Sequence, residues 1–565
     1  MLGLLSVELM RITDTSDLWW KTAVIYCLDV ETFMDWNDDG VGDFEGLAHR
    51  MDYLHELGIT CLWLMPFYPT PNKDDGYDIS DFFGIDERLG DFGDFVEMIR
   101  MAKDRGIRVI VDLVVNHTSD RHPWFVESRR SKDNPYRDYY VWRDHPPRKK
   151  EEPVFPDKET SVWMLDPATD QYYLHHFYRF QPDLNVTNPK VRDEIAKIMG
   201  FWLQLGVSGF RVDAVPFLMD ESGVQAPEAE LAHPLDFLKS LKAFLGRRSG
   251  EAMILGEANL PRKDQVDYFG GEDGDGLSMQ FDFITMQNLY LSLARNDPRP
   301  IVKALESRPK IAIESQWANF VRNHDELTLD KLTDEERQEV FAAFGPEPRM
   351  QVYDRGIIRR LPPMLDGDPR RVKMVYSLMF SLPGTPVLFY GEELGMGENL
   401  AAGSRLAVRT PMQWTGGRHG GFSQAAKTVR PVVTGGYSPE HVNASDQRHE
   451  PDSLLAFMRT LVARYRASAE MGWGEFEVLK QDQPSVLAHS LVGAEGHMIA
   501  LHNFSGEPVT VTFPIAGGTS EHQVVDLLVD GVVIRVGDDA TATISMDGYG
   551  YRWFRVIGPK DKRLG

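Results

Sequence analysis

The sequence predicts an α/β protein built on a (β/α)₈ (TIM) barrel, with a subdomain inserted after the third strand and an antiparallel β-sandwich as the C-terminal domain. Three observations carry this expectation. Eight short β-rich apolar runs recur along the chain, most of them followed by a stretch of helical period. The gap between the third and fourth runs is roughly ninety residues, far more than one crossover helix needs. The last ninety or so residues switch to period-two patterning, as in VLAHSLVG, PVTVTFPI and YRWFRVIG.

The eight runs are AVIYCLDV (23–30), ITCLWLMPF (59–67), IRVIVDLVVN (107–116), GFRVDAV (209–215), MILGEAN (253–259), LSMQFDF (277–283), WANFVRNH (317–324) and TPVLFYGEE (385–393). Helical stretches such as FEGLAHRMDYLHELG and FGDFVEMIRMAKDRG each end at a glycine that can close a helix. The expected division is a barrel over 1–117 and 183–470, an inserted subdomain over 118–182, and a sandwich over 471–565. The weakly charged stretch 374–391 has the hydropathy of a membrane span, but PGTP at 383–386 splits it into a helix end and a strand.

Composition narrows the function classes. The chain has 565 residues, 42% of them hydrophobic and 26% charged, which fits a folded protein of two to four domains. Its net charge of −24 argues against nucleic acid or an anionic membrane as partner, so a neutral or cationic substrate is easier to accommodate. Two cysteines, Cys27 and Cys61, lie in apolar runs and cannot form a disulfide framework, which fits a reducing, cytoplasmic location. The first residues carry no basic region or cleavage site of a signal peptide. Oligomeric state is left open, a homo-oligomer included. Trp473 and Trp553, in the C-terminal region, read as core or interdomain aromatics rather than sugar platforms.

In a barrel of this kind the C-terminal strand ends form the active face, so charges there matter most. Those ends carry Asp112, Asn116 and His117 after the third run, Arg211 and Asp213 after the fourth, Glu257 after the fifth, and His324 and Asp325 after the seventh. Arg211 and Asp213 are one strand period apart, so the fixed positive charge can hold the carboxylate ionised. Glu257 sits in apolar surroundings that favour a retained proton. An ionised carboxylate beside a protonated one is the pair that retaining glycoside chemistry requires.

Six strings on these strand ends and the adjoining loops resemble the signature regions of the α-amylase superfamily, glycoside hydrolase family 13. They are DLVVNH (112–117), QPDLN (181–185), GFRVDAVPF (209–217), GEAN (256–259), VRNHDE (321–326) and GTPVLFYGEE (384–393). The resemblance implies that Asp213 is the nucleophile, Glu257 the general acid/base and Asp325 the carboxylate that stabilises the transition state. It also implies sugar contacts from His117 and His324, with Arg211 supporting Asp213. QPDLN, DDGYDIS (74–80) and RTPMQW (409–414) resemble the oligosaccharide-acting branch, in which Asp78 and Arg409 would pair across the pocket floor and hold the non-reducing glucose.

Longer stretches, above all VRNHDELTLDKLTDEER and RGIIRRLPPMLDGDPRR, are similar to family members that interconvert maltose and trehalose. The activity implied is intramolecular transglucosylation through a covalent glucosyl-aspartate. Three stretches depart from that pattern: YCLDVETF at the first strand, HHFYRF before QPDLN, and AAGSRLAVRT after the eighth strand. They border the acceptor side, which keeps an alternative open: an exo-acting α-glucosidase or transglucosidase using maltose, sucrose or short α-gluco-oligosaccharides. Transporter subunits of the superfamily that lost the triad are a third class, but this chain keeps all three carboxylates.

DWNDDGVGD (35–43) has oxygen side chains at calcium-loop positions 1, 3, 5 and 9, with glycine at 6. The expected ligands of a structural Ca²⁺, with Mg²⁺ as the alternative, are Asp35, Asn37, Asp39, the Val41 carbonyl and Asp43. A second structural ion, suggested by the resemblance, would use Asn116, Asp183, the Phe217 and Leu218 carbonyls and Asp220. No organic cofactor is expected.

Overall fold

The computed structural model describes residues 16–148, 151–218, 235–493 and 496–559. The eight runs all form strands: β1 (Ile25–Leu28), β2 (Cys61–Leu64), β3 (Arg108–Leu113), β4 (Gly209–Val212), β5 (Met253–Gly256), β6 (Met279–Phe281), β7 (Gln316–Phe320) and β8 (Thr385–Phe389). They close into a barrel in chain order, every neighbouring pair parallel, with β8 returning to β1. Apart from Arg108 at the start of β3, every residue of the eight strands is buried. Helices cover the outside and side chains fill the inside, so these strands read as unbroken apolar runs rather than alternating ones. Gly209 opens β4 where a Cβ would come 2.4 Å from the Met253 carbonyl oxygen, a contact only glycine permits.

The helices obey their local signals. Phe92–Asp104 starts in a capping box between Asp91 and Asp94, buries Phe95, Met98, Ile99 and Ala102, and is followed by Gly106 at φ +69°. The weakly charged stretch is a helix, Pro369–Ser381, then β8, and no helix among the described residues is long and apolar enough to cross a membrane.

Between β3 and β4 the chain leaves the barrel to form a helix (Pro123–Ser128) and a three-stranded antiparallel sheet of Trp142–Arg143, Gln171–Leu174 and Trp163–Asp166. A second excursion, after β7, was not foreseen. It pairs two-residue strands at Leu327–Thr328, Gly356–Ile357 and Gln351–Val352 and carries the helix Asp334–Phe344.

The C-terminal region is a six-stranded antiparallel sheet facing a two-stranded one, Val509–Pro514 with Thr541–Met546. Its period-two pattern has a direct consequence. Val486, Ala488, Ile499, Leu501 and Phe554 point into the sandwich, while Leu487, Leu491, Met498, Ala500 and Trp553 join the barrel's core. Trp553 is fully buried and donates from Nε1 to Ser377 Oγ of the 369–381 helix at 3.0 Å, as an interdomain residue. Lys21 Nζ lies 4.9 Å from the Trp473 ring. Cys27 and Cys61 are buried free thiols on β1 and β2.

Candidate active site

Arg211, on β4, organises the barrel mouth. Its side chain is 1% exposed and its guanidinium touches three carboxylates: Asp112 Oδ1 at 2.6 Å, Asp213 Oδ1 at 2.5 Å and Glu257 Oε2 at 2.8 Å. Asp112 is completed by the Trp63 indole at 2.9 Å. Breaking such a buried set by removing the cation typically costs about 3–5 kcal/mol, because uncompensated charge stays behind. One side chain spans Asp213 and Glu257, which holds their carboxyl groups close, as retaining glycosidases do at about 5–5.5 Å.

The protonation states follow from burial and neighbours. Burial raises Glu257 to about 7, with Arg211 opposing and the Asp213 and Asp325 charges adding to the rise. Asp213 is raised by burial to about 6, again against Arg211. Near neutral pH the first retains a proton that the second has largely lost. Asp325 is the opposite case. Burial alone would raise it, but the hydrogen bond from His324 and the charges of Arg405 and Arg409 hold it well below the usual carboxylate range. Its Oδ1 accepts from Arg405 at 2.7 Å and Arg409 at 2.9 Å.

The chain turns sharply after Asp213. Ala214 has φ +52°, unusual for a residue with a side chain, and its N–H donates to Glu257 Oε2 at 3.3 Å. His324 Nε2 lies 2.7 Å from the Tyr77 hydroxyl and 3.2 Å from Asp325 Oδ2. His117 and His324 are both lowered to about 4 by burial and are neutral at pH 7. His117 Nε2 is buried without a protein partner.

Asp213, Glu257, Asp325 and His117 line one pocket of about 460 Å³, within the size range of small-molecule sites. Its roof comes from the insertion and both late loops. Phe155 packs 5.9 Å from Phe177 and 4.6 Å from Tyr353, and Arg405 lies 5.1 Å from the Phe155 ring.

Contrary to the expectation from the sequence, Asp78 does not pair with Arg409. Its carboxylate is fully buried beneath its own loop, accepting from the backbone N–H of Lys73 and Asp74 and from Thr70 Oγ1. Arg409 instead donates to Asp75 at 2.5 Å, and the carboxylate facing the pocket is Asp74, which pairs with Arg405 at 2.8 Å. Gln181 of QPDLN donates to the other oxygen of Asp74 at 2.9 Å. Asp74, Tyr77, Glu326, Asp330, Lys331, Arg355 and Arg405 all line the pocket and were not singled out from the sequence. Tyr77 and Asp74 stand in DDGYDIS and Arg405 in AAGSRLAVRT, so the strings marked the loops but not the side chains.

In the 35–43 loop the side-chain oxygens cap backbone amides: Asp35 takes Asp38 and Gly40, Asn37 takes Asp39, Asp39 takes Val41, and Asp43 takes Trp36 and Gly46. Among the described residues no three His, Cys, Asp or Glu side chains gather into a cage, so an ion here would lean on Asn37 and the Val41 carbonyl as well. Asn116, Asp183, Phe217 and Leu218 do meet, around a cavity of about 20 Å³ where Asp183 also contacts His176 Nδ1. Asp220 lies outside the described residues.

Comparison with known proteins agrees with this geometry. The chain matches the α-amylase catalytic domain over residues 27–343 and 359–474, and a sucrose hydrolase-like C-terminal domain over 496–555. It is 40% identical over 547 residues to the trehalose synthase/amylase of Mycobacterium tuberculosis (strain ATCC 25618 / H37Rv), covering 95% of this chain and 90% of that one. It is 40% identical over 559 residues to the trehalose synthase of Pimelobacter sp. (strain R48), covering 96% of each. The crystal structure of a trehalulose synthase from Pseudomonas mesoacidophila MX-45 superposes with a TM-score of 0.74 at 27% identity, over 95% of this chain and 99% of that one. With its closed eight-stranded barrel, a family match over most of its length and relatives at 40% identity, the chain belongs to the α-amylase family, glycoside hydrolase family 13.

Proposed function

We propose that the protein is a retaining α-glucosyl-transferring enzyme that interconverts maltose and trehalose. The observation that carries this reading is the Asp213–Arg211–Glu257 arrangement, with Asp325, in one roofed pocket. The relatives at 40% identity, a trehalose synthase/amylase and a trehalose synthase, support the substrate class.

In the proposed mechanism Asp213 attacks C1 of the non-reducing glucose while Glu257 protonates the departing glycosidic oxygen. The α-1,4 bond breaks and a β-glucosyl ester of Asp213 forms. Asp325, held ionised, stabilises the oxocarbenium-like charge at C1. The freed glucose stays beneath the Phe155–Tyr353 roof and turns. Glu257, now a carboxylate, takes the proton from its anomeric hydroxyl as that oxygen attacks C1, giving the α,α-1,1 bond and restoring both carboxyl groups. The neutral His117 and His324 are suited to hydrogen-bond sugar hydroxyls, and Asp74 with Arg405 to hold the non-reducing end.

Incubation with maltose and chromatographic separation of trehalose from glucose tests the reading. Trehalose as the main product is expected. Glucose as the main product would move the enzyme to the α-glucosidase alternative.

We also propose a structural Ca²⁺ or Mg²⁺ held by Asp35, Asn37, Asp39, Val41 and Asp43, and a second ion at Asn116, Asp183, Phe217 and Leu218 together with Asp220. Bound there, an ion would tie loops to the barrel without entering the chemistry. Chelation is then expected to lower the Tm and leave the initial rate unchanged. The buried thiols Cys27 and Cys61 fit a reducing, cytoplasmic setting.

A further inference from the structure

Behind the pocket a row of alternating charges runs from Asp325 into the β1 and post-β8 loops. Arg409, 1% exposed, divides its guanidinium between Asp325 Oδ1 at 2.9 Å and Asp75 Oδ2 at 2.5 Å, while its Nε is fixed on the His324 carbonyl at 2.8 Å. The other oxygen of Asp75 is in close contact with Arg430. Arg430 also lies 3.4 Å from Glu31, and Glu31 is shared with Arg88 at 3.2 Å.

The row ends in two stretches set apart in the sequence. Glu31 belongs to YCLDVETF, one of the departing segments, and Arg430 lies 21 residues beyond Arg409 in the loop that follows β8. That loop has a fixed seat: Val429 N–H donates to the Gly40 carbonyl at 2.8 Å, and Gln424 N–H to Asp38 at 2.9 Å. At Gly40, φ +98°, a Cβ would meet the Lys427 carbonyl oxygen at 2.2 Å.

We propose that Arg430 is a positioning residue for Asp325, acting through Asp75 and Arg409. Asp75 is held by one guanidinium on each oxygen, so its carboxylate cannot turn. Without Arg430 the free oxygen of Asp75 becomes a second acceptor for Arg409, whose Nη2 then leaves Asp325 for a two-point contact with Asp75. Asp325 keeps Arg405 but loses the partner that fixes it from below. Glu31 acts one step further out, by orienting Arg430.

The inference rests on the proposed role of Asp325, so that role is tested in parallel. Active sites are first titrated with an activated fluoroglucosyl donor that stalls as the covalent ester, and kcat and KM on maltose are then measured per titrated site. Arg430→Met is expected to lower kcat about 10- to 100-fold with KM within about threefold, and Arg430→Lys to recover much of it by a single contact to Asp75. Glu31→Gln is expected to cost less than about fivefold. An unchanged kcat per site in Arg430→Met, or a lysine variant as impaired as the methionine one, overturns the inference while Asp325→Asn remains inactive. Should the methionine variant not fold, full kcat in Arg430→Lys together with a large loss in Glu31→Gln overturns it equally. Activity retained in Asp325→Asn overturns the underlying reading and this inference with it.

Discussion

The pH dependence of the first chemical step is the most direct test of the proposed acid–nucleophile pair, with Glu257→Gln as the perturbation. Productive enzyme needs Asp213 ionised and Glu257 protonated. Asp213 at about 6 and Glu257 at about 7 define a narrow window. Treated as two macroscopic steps, these values give about 60% of the enzyme in the productive form at pH 6.5, about 9% at pH 5 and about 3% at pH 8.5. The signs are fixed by role: activity falls with rising pH as Glu257 loses its proton, and with falling pH as Asp213 gains one. Asp325, held far lower, does not limit the acid side, and the histidines at about 4 stay neutral through most of the range. The assay is kcat/KM for maltose and for α-glucosyl fluoride between pH 5 and 8.5. Glu257→Gln should lose about 10²- to 10⁴-fold on maltose. On the fluoride, whose leaving group needs no proton, it should lose little, and the alkaline limb should vanish. A wild-type maltose profile flat to pH 8.5, or an alkaline limb that survives Glu257→Gln, refutes the assignment.

Three further outcomes are expected. Asp213→Asn should abolish turnover while leaving the Tm unchanged or higher: ionising this buried group at a raised pKa costs on the order of 3 kcal/mol at pH 7, which the amide avoids, so a clearly lowered Tm by scanning fluorimetry would contradict the reasoning. In the domain interface, buried His489 and His502 face Ser381 and Ser377, and burial lowers His489 to about 4 and holds His502 well below the ordinary imidazole value. Their neutral burial is at full value above about pH 6.5, the unfolded value, and is lost as pH falls toward 4; replacing both with glutamine should flatten the Tm decline between pH 6.5 and 4.5, and an unchanged slope would sink this account. Finally, Asp78→Ala should lower stability by about 1–2 kcal/mol through its lost turn contacts, whereas Asp74→Ala should act chiefly on kcat/KM for maltose; the reverse pattern in melts and kinetics would restore Asp78 to the pocket.

The barrel was readable because its strands are buried on both faces. An uninterrupted apolar run is a strong signal, and a charge breaking such a run, as Arg211 and Asp213 break GFRVDAV, is stronger still. The same property marked Glu257 and Asp325 at strand ends. The sandwich was readable for the complementary reason: strands with only one face on its core alternate, so period two is written along Val509–Pro514, where Val511 and Phe513 are buried between more exposed threonines. The excursion after β7 escaped because two-residue strands such as Leu327–Thr328 have no period to detect.

What escaped at the site was the choice among side chains within a marked loop. DDGYDIS offers three carboxylates in five residues, and no periodicity says which one faces the sugar pocket. The backbone decides: Asp75 at φ +52° and Gly76 at φ +92° reverse the chain, which leaves Asp74 toward the pocket, Asp75 toward Arg409 and Asp78 folded back on residues 70–74. Left-handed turns of this kind have only weak sequence signatures outside glycine. The cations they meet, Arg405, Arg409 and Arg430, are more than three hundred residues away along the chain. The carboxylates proposed for catalysis stand at barrel strand ends and are legible from local sequence, as is Arg211 between Asp213 and Glu257. The arginines that set the charge of Asp325, Arg405 and Arg409, arrive on the loop after β8, and only the closed fold brings them to the barrel mouth.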